Sequence, residues 1–298
     1  TAAQALNPYT KADFLREVFL SEPRYDILVS LLRRKKNIIL QGAPGVGKTF
    51  AAKKLAYSMM GEEDDSRIAF VQFHQNYSYE DFMLGYRPDG ADFKLTEGIF
   101  YRFCQKASND PARSYFFLID EINRGNLSKI LGELMMLIEN SHRGEKITLG
   151  YNGASFYVPE NLYIIGMMNT ADRSLAMIDY ALRRRFSFFE MEPAFSSEGF
   201  QTYQAGLANE TFNALLEQVK ALNRAILEDP SLGRGFRIGH SYFCLDDPAD
   251  CTTDWMRSVV EFDILPVLAE YWFDEPQKLH RWEDNLRGVF HDECSYSI

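Results

Sequence analysis

The sequence has few cysteines and pairs none of them. Cys104, Cys244, Cys251 and Cys294 are scattered, with no CxxC spacing and no histidine at a zinc-binding interval. This argues against a disulfide framework and for free thiols in a reducing cytoplasm. No stretch reaches the roughly 18 uninterrupted apolar residues of a membrane span. The first ten residues are polar and lack the hydrophobic run of a signal peptide. Repeats and low-complexity tracts are missing too. Basic residues are in deficit, 32 Lys and Arg against 42 Asp and Glu, for a net charge of −10. Such a surface is a poor match for a phosphate backbone, so any grip on nucleic acid is expected elsewhere or in a small local patch. The chain opens at Thr1 rather than Met, and a trimmed protein with a partner domain upstream is expected.

What is present is a large apolar content, 46% of 298 residues, enough for a sizeable core. Apolar, β-rich runs at residues 37–40, 68–73, 115–119, 162–167 and 186–191 alternate with helical patterns. That alternation predicts an α/β fold with a five-stranded, mainly parallel sheet. Between the third and fourth runs, Asn152-Gly153 lies between β-rich flanks and predicts a hairpin over residues 147–159. After Pro193 the alternation stops. Phe212, Leu215, Leu216, Val219, Leu222 and Ile226 share one helical face. A second helical stretch spans 255–271, with Pro266 a predicted kink or break. The expected organisation is an α/β nucleotide-binding domain over residues 1–195 and a smaller helical domain over 196–298.

Gly42, Ala43, Pro44, Gly45, Val46, Gly47, Lys48 and Thr49 complete the pattern GxxxxGK[ST], between a short apolar run and a predicted helix over residues 50–59. Glycines let the backbone fold so that N–H groups converge on phosphates, and the following helix N-terminus adds positive potential. Lys48 is expected at the β- and γ-phosphates and Thr49 on Mg²⁺. The run 115–119 ends in Asp120-Glu121, where Asp120 would hold Mg²⁺ and Glu121 would polarise the attacking water. The run 162–167 leads into Asn169, a polar residue able to reach between γ-phosphate and water. Arg183, Arg184 and Arg185 immediately precede the last run.

These motifs in this order resemble the AAA+ class. Met168-Asn169-Thr170-Ala171-Asp172-Arg173-Ser174 resembles the signature of the McrB family, the GTP-dependent motors of modified-cytosine restriction systems. Residues 71–88 (VQFHQNYSYEDFMLGYRP), 120–127 (DEINRGNL), 180–188 (YALRRRFSF) and 235–243 (GFRIGHSYF) agree. The resemblance extends from about residue 36 to 282. It implies an AAA+ core with a helical lid, a homo-hexameric ring, Mg²⁺, and GTP in preference to ATP. It also implies a McrC-type nuclease partner, with modified DNA bound through an upstream domain for which this chain has no room. No nuclease constellation is evident.

By the same resemblance, Asn169 is the water-orienting sensor with Asp172 as its signature partner. Arg184 and Arg185 are the finger candidates, reaching a neighbouring subunit's nucleotide, where such a residue accelerates hydrolysis roughly 1,000- to 100,000-fold. Arg124 is a further candidate for an inter-subunit contact, and Arg237 for a lid charge returned to the phosphates. His74 and His240 read as packed or surface histidines. Two other functions compete: a MoxR-type ATP-dependent protein remodeller, and a nucleotide-gated scaffold whose hydrolysis is incidental. The Ras-like NKxD guanine reader is missing, and no residue that selects guanine is identified.

Overall fold

The computed structural model describes residues 6–90, 92–172 and 180–290. Cys294, Arg173, Ser174 and Asp179 lie outside the described residues. Nine strands occur among those described: β1 (Asn37–Gly42), β2 (Ile68–Gln72), β3 (Leu84–Asp89), β4 (Asp92–Glu97), β5 (Tyr115–Asp120), β6 (Ile147–Thr148), β7 (Ser155–Phe156), β8 (Leu162–Asn169) and β9 (Ser187–Met191). The five apolar runs of the sequence form one sheet in the order β2-β5-β8-β1-β9. β2 pairs with β5, and β5 with β8, in parallel. A central strand of a parallel sheet is covered on both faces, which is why β5 and β8 read as continuous apolar runs; residues 115–119 and 162–167 are all buried. The edge strand β2 is only partly buried.

By contacts the chain divides into two compact units. One comprises Thr1–Val18, Glu22–Gln41 and Lys48–Glu190; the other comprises Phe19–Ser21, Gly42–Gly47 and Met191–Ile298.

In the first unit, the aromatic wealth of the sequence forms the core. Phe82 stacks on Phe100 at 4.6 Å, and Phe117 of β5 meets both rings edge-on. β3 and β4 form an antiparallel pair. So do β6 and β7 around Asn152-Gly153, where Gly153 takes a φ of 66° as the expected hairpin requires.

A buried polar knot closes the base of this sheet. Asn37, at the start of β1, donates to the carbonyls of Ile138 (2.7 Å) and Arg185 (3.1 Å) and accepts from Arg143 at 2.6 Å. Arg143 also donates to Ile138 O. Burial pulls the Arg143 guanidinium down to about 10.

In the second unit, the helix Glu210–Glu228 buries Phe212, Leu215, Leu216, Val219, Leu222 and Ile226, the face expected from their spacing. The Asn209 side chain caps it by accepting from Phe212 N at 3.0 Å. The stretch 255–271 is not one helix. Thr253–Ser258 is α-helical, Val259–Ile264 is a π-helix and Leu265–Tyr271 is α-helical again. Pro266 sits in the first turn of the last piece. It has no N–H to donate backward, and the wider π turn absorbs the missing bond.

Candidate nucleotide site

The side chains singled out by three separate motifs meet in one hydrogen-bonded series. Lys48, the first residue of the helix Lys48–Met60, is buried and donates to Asn169 Oδ1 at 2.7 Å. The Asn169 amide donates to Glu121 Oε1 at 2.9 Å. Arg124 donates to Glu121 Oε2 and to Asp172 Oδ2, both at 3.0 Å. The series therefore runs Lys48, Asn169, Glu121, Arg124, Asp172. Its members come from the helix after β1, the turn after β5, the end of β8 and the segment just beyond it. β5 and β8 extend to Asp120 and Asn169, beyond the apolar runs, so both residues are strand ends held by the sheet and not free loop positions. In an open parallel sheet, the carboxyl ends of the strands are where ligands bind.

Backbone strain marks the centre of this series. Glu121 adopts φ 49° and ψ 43°, a left-handed conformation that costs a residue with a Cβ and persists only where the surroundings enforce it. The enforcement is visible. Asp120 Oδ1 accepts from Glu121 N at 3.0 Å, and Glu121 O accepts from Arg124 N at 2.8 Å. Ile122, fully buried, nests against Gly166 of β8, where a Cβ would lie 2.6 Å from Ile122 Cδ1. Gly166 thus makes the space that anchors the turn presenting Glu121.

Electrostatics follow from the packing. Burial pulls the Lys48 ammonium down to about 8, opposed by the charges of Glu121, Asp120 and Asp172. The Arg124 guanidinium is held above its ordinary value, chiefly by its hydrogen bond to Glu121. Thr49 Oγ1 lies 3.5 Å from Asp120 Oδ2. A hydroxyl and a carboxylate side by side are hard oxygen donors of the kind Mg²⁺ takes. Among the described residues, no group of three or more His, Cys, Asp or Glu is placed for an all-protein metal site. Mg²⁺ is typically held through few carboxylates, with phosphate and water completing its shell, so Thr49 and Asp120 fit it.

The loop leading into Lys48 is shaped by positive φ at Gly45 (72°) and Gly47 (73°). Gly42 lies directly against Met191, whose carbonyl oxygen would be 2.3 Å from any Cβ there. Gly45 lies against the ring of Tyr242, and its carbonyl accepts from Ser241 N at 2.8 Å. Gly239 packs on the Gly45–Val46 peptide itself. The run 235–243, which stands out in the sequence only through a family resemblance, is therefore in direct contact with this loop.

The remaining candidates fall in various places. Arg185 is buried, with salt-bridge contact to Glu139 at 2.8 Å and a hydrogen bond to Met135 O at 2.5 Å. Arg184 is 67% exposed and reaches the same Glu139 at 3.2 Å. Arg237 pairs with Glu192 at 3.2 Å and donates to Arg234 O. Asp172 joins the series through Arg124, not through a bond to Asn169. His74 is exposed beside Tyr77. His240 is buried among Phe19, Phe195 and Phe200, accepts from Ala194 N at 3.1 Å, and is pushed down to about 4 by burial. Sequence reasoning did not find Gly166 or the central place of Arg124. A lone glycine inside an apolar strand is the one local signal for the first.

Residues 37–186 match the family AAA domain (dynein-related subfamily), and residues 214–280 match the family McrB, alpha-helical lid domain. The Type IV methyl-directed restriction enzyme EcoKMcrB subunit of Escherichia coli (strain K12) is 50% identical over 290 residues, covering 94% of this chain and 63% of that protein. The Type II restriction enzyme BsuMI component YdiS of Bacillus subtilis (strain 168) is 25% identical over 212 residues, covering 57% of this chain and 60% of that protein. The chain thus spans about three fifths of the length of these curated relatives. No helix among the described residues is long and apolar enough to cross a membrane.

Proposed function

We propose that this chain, which belongs to the McrB family of AAA domains and carries the McrB lid, binds and hydrolyses GTP as the ring-forming motor of a modified-DNA restriction complex. The observation that carries the hydrolytic part is the series Lys48, Asn169, Glu121, Arg124, Asp172. It joins a cation for the phosphates, an orienting amide and a carboxylate for the attacking water. Gly42, Ala43, Pro44, Gly45, Val46 and Gly47 supply the backbone cradle for the phosphates. Thr49 and Asp120 would hold Mg²⁺, which neutralises charge on the β- and γ-phosphates when bound. Glu121 polarises the water that attacks the γ-phosphorus. Both of its carboxylate oxygens already accept hydrogen bonds, so water takes the place of one partner. Arg124, at 44% exposed, is the partner freer to move.

The two arginines support a shared active site. Arg185 is committed within its own chain, whereas Arg184 is free enough to reach a neighbouring subunit. We assign Arg184 as the finger that completes the next active site of a homo-hexamer. Arg237 would exchange Glu192 for phosphate in the role of a lid charge. A McrC-type nuclease would be the partner, and an upstream domain would recognise the modified DNA; the 50%-identical relative is named as a subunit of a methyl-directed restriction enzyme, which supports membership of a restriction complex.

The test is a competition titration of GTP against ATP, with turnover measured with and without the nuclease subunit. A preference for GTP and stimulation by the partner are expected. Equal or reversed preference would shift the assignment to an ATP-dependent remodeller of the MoxR type.

A further inference from the structure

The geometry points to residues 239–242 as a positioning element that fixes the orientation of one peptide in the phosphate loop. This inference rests on the assignment of residues 42–49 as that loop, and goes beyond it.

Three contacts converge on the Gly45–Val46 peptide. A Cβ on Gly239 would lie 1.9 Å from Gly45 C, 2.0 Å from Gly45 O and 2.5 Å from Val46 N. The Gly239 backbone is therefore seated on the plane of that peptide, and no other residue fits. Ser241 N donates to Gly45 O at 2.8 Å. A Cβ on Gly45 would lie 2.4 Å from Tyr242 Cε2, so the tyrosine ring covers the Gly45 Cα. A trans peptide directs its N–H opposite to its C=O. With the Gly45 carbonyl held by Ser241, the Val46 N–H points away from Ser241. Gly45 has a φ of 72°, where a glycine peptide otherwise turns over at little cost. A phosphate cradle works only if its N–H groups point at the anion together, so holding this peptide in one orientation preserves a donor before the ligand arrives.

The holding segment is itself anchored. Asn223, buried on the helix Glu210–Glu228, donates to Ile238 O at 2.9 Å and accepts from Ile238 N at 2.6 Å. On the other side, His240 Nδ1 accepts from Ala194 N at 3.1 Å. The segment therefore reaches Gly45 as a fixed surface and not as a free loop. Tyr242 and Gly239 act through Gly45 and are positioning residues.

The experiment uses the whole chain with Gly239→Ala, Tyr242→Ala, Tyr242→Phe and, as a control, Lys48→Ala. The probes are non-hydrolysable analogues of GTP and of ATP with Mg²⁺. For Tyr242→Ala, affinity for both analogues should fall about tenfold, the loss expected when one hydrogen-bond donor to a charged ligand is misdirected. KM should rise in step while kcat at saturation is kept. Tyr242→Phe should restore wild-type affinity, because the ring and not the hydroxyl covers Gly45. Gly239→Ala should lose more affinity than Tyr242→Ala; if that variant does not fold, the Tyr242 pair decides alone. Unchanged affinity in Tyr242→Ala, with binding lost in Lys48→Ala, would overturn the inference and leave the phosphate-loop assignment standing. Equal impairment of Tyr242→Phe and Tyr242→Ala would also overturn it. Unchanged affinity in Lys48→Ala would overturn the phosphate-loop assignment and this inference with it.

Discussion

Asn169 donates its side-chain amide to Glu121 Oε1 at 2.9 Å, so the residue that ends β8 orients the carboxylate that follows β5. Glu121→Gln is nearly isosteric and keeps the cradle, but removes the carboxylate. Triphosphate and Mg²⁺ binding should persist, while turnover falls by roughly 100- to 10,000-fold, the usual range for a lost general base. Single-turnover hydrolysis with a parallel binding titration checks both. Wild-type turnover in this variant would assign the base to another residue.

Lys48→Ala should abolish tight triphosphate binding. Lys48 is buried and its ammonium is the cation at the end of the series, and an alanine leaves the phosphates without that partner. Isothermal titration with a non-hydrolysable analogue is the measurement. Retained affinity would remove residues 42–49 from the phosphate site.

Mixing should restore activity to two impaired variants, Glu121→Gln and Arg184→Ala. If Arg184 serves the neighbouring subunit, an Arg184→Ala chain holding nucleotide beside a Glu121→Gln chain has every catalytic part. Activity should therefore reappear on mixing and rise with protein concentration. Mixed rings that form without regaining turnover would rule out Arg184 as the finger. Arg185→Ala should instead lower stability, because it breaks a contact of a buried guanidinium with Glu139.

Removal of Asn37 should destabilise the fold without touching nucleotide chemistry directly. Its carboxamide bonds the carbonyls of Ile138 and Arg185 and the buried Arg143. Asn37→Ala leaves Arg143 without one of its acceptors, and hydrogen bonds to buried charged groups are worth about 1.5–3 kcal/mol each. Urea unfolding should show at least that loss, and a midpoint equal to wild type would dismiss the knot as a stabilising feature.

Stability should fall in mild acid because of His240. Burial lowers its folded value to about 4, below the ordinary 6.5 of the unfolded chain. Between these values the unfolded state binds the extra proton. The contribution is therefore fully present above about pH 6.5 and is lost as the pH falls toward 4. Its size is on the order of 3 kcal/mol. His240→Gln, which keeps an acceptor for Ala194 N, should flatten the difference between unfolding free energies at pH 7.5 and pH 5. An unchanged slope would assign the acid sensitivity to other groups.

Much of the architecture was determined by the sequence alone. The five apolar runs become the five strands of one sheet, and the 3.6-residue spacing from Phe212 to Ile226 becomes the buried face of one helix. Gly42 through Thr49 match the residue pattern expected of a phosphate loop, and Asp120 and Glu121 stand out as two carboxylates closing an apolar run. These features are legible because they depend on near neighbours: periodic burial, turn sterics and the few residues a tight loop admits. Only the tertiary structure decided that Lys48 bonds Asn169 from 121 positions away, that Arg124 joins Glu121 to Asp172, that Gly166 makes room for the strained turn at Glu121, and that Gly239 rests on the Gly45 peptide. It also separated Arg184 from Arg185, adjacent in sequence yet one exposed and one buried. Such contacts depend on which strands become neighbours and how closely backbones approach. Those outcomes are fixed by packing the whole chain, and no local pattern of residue types encodes them.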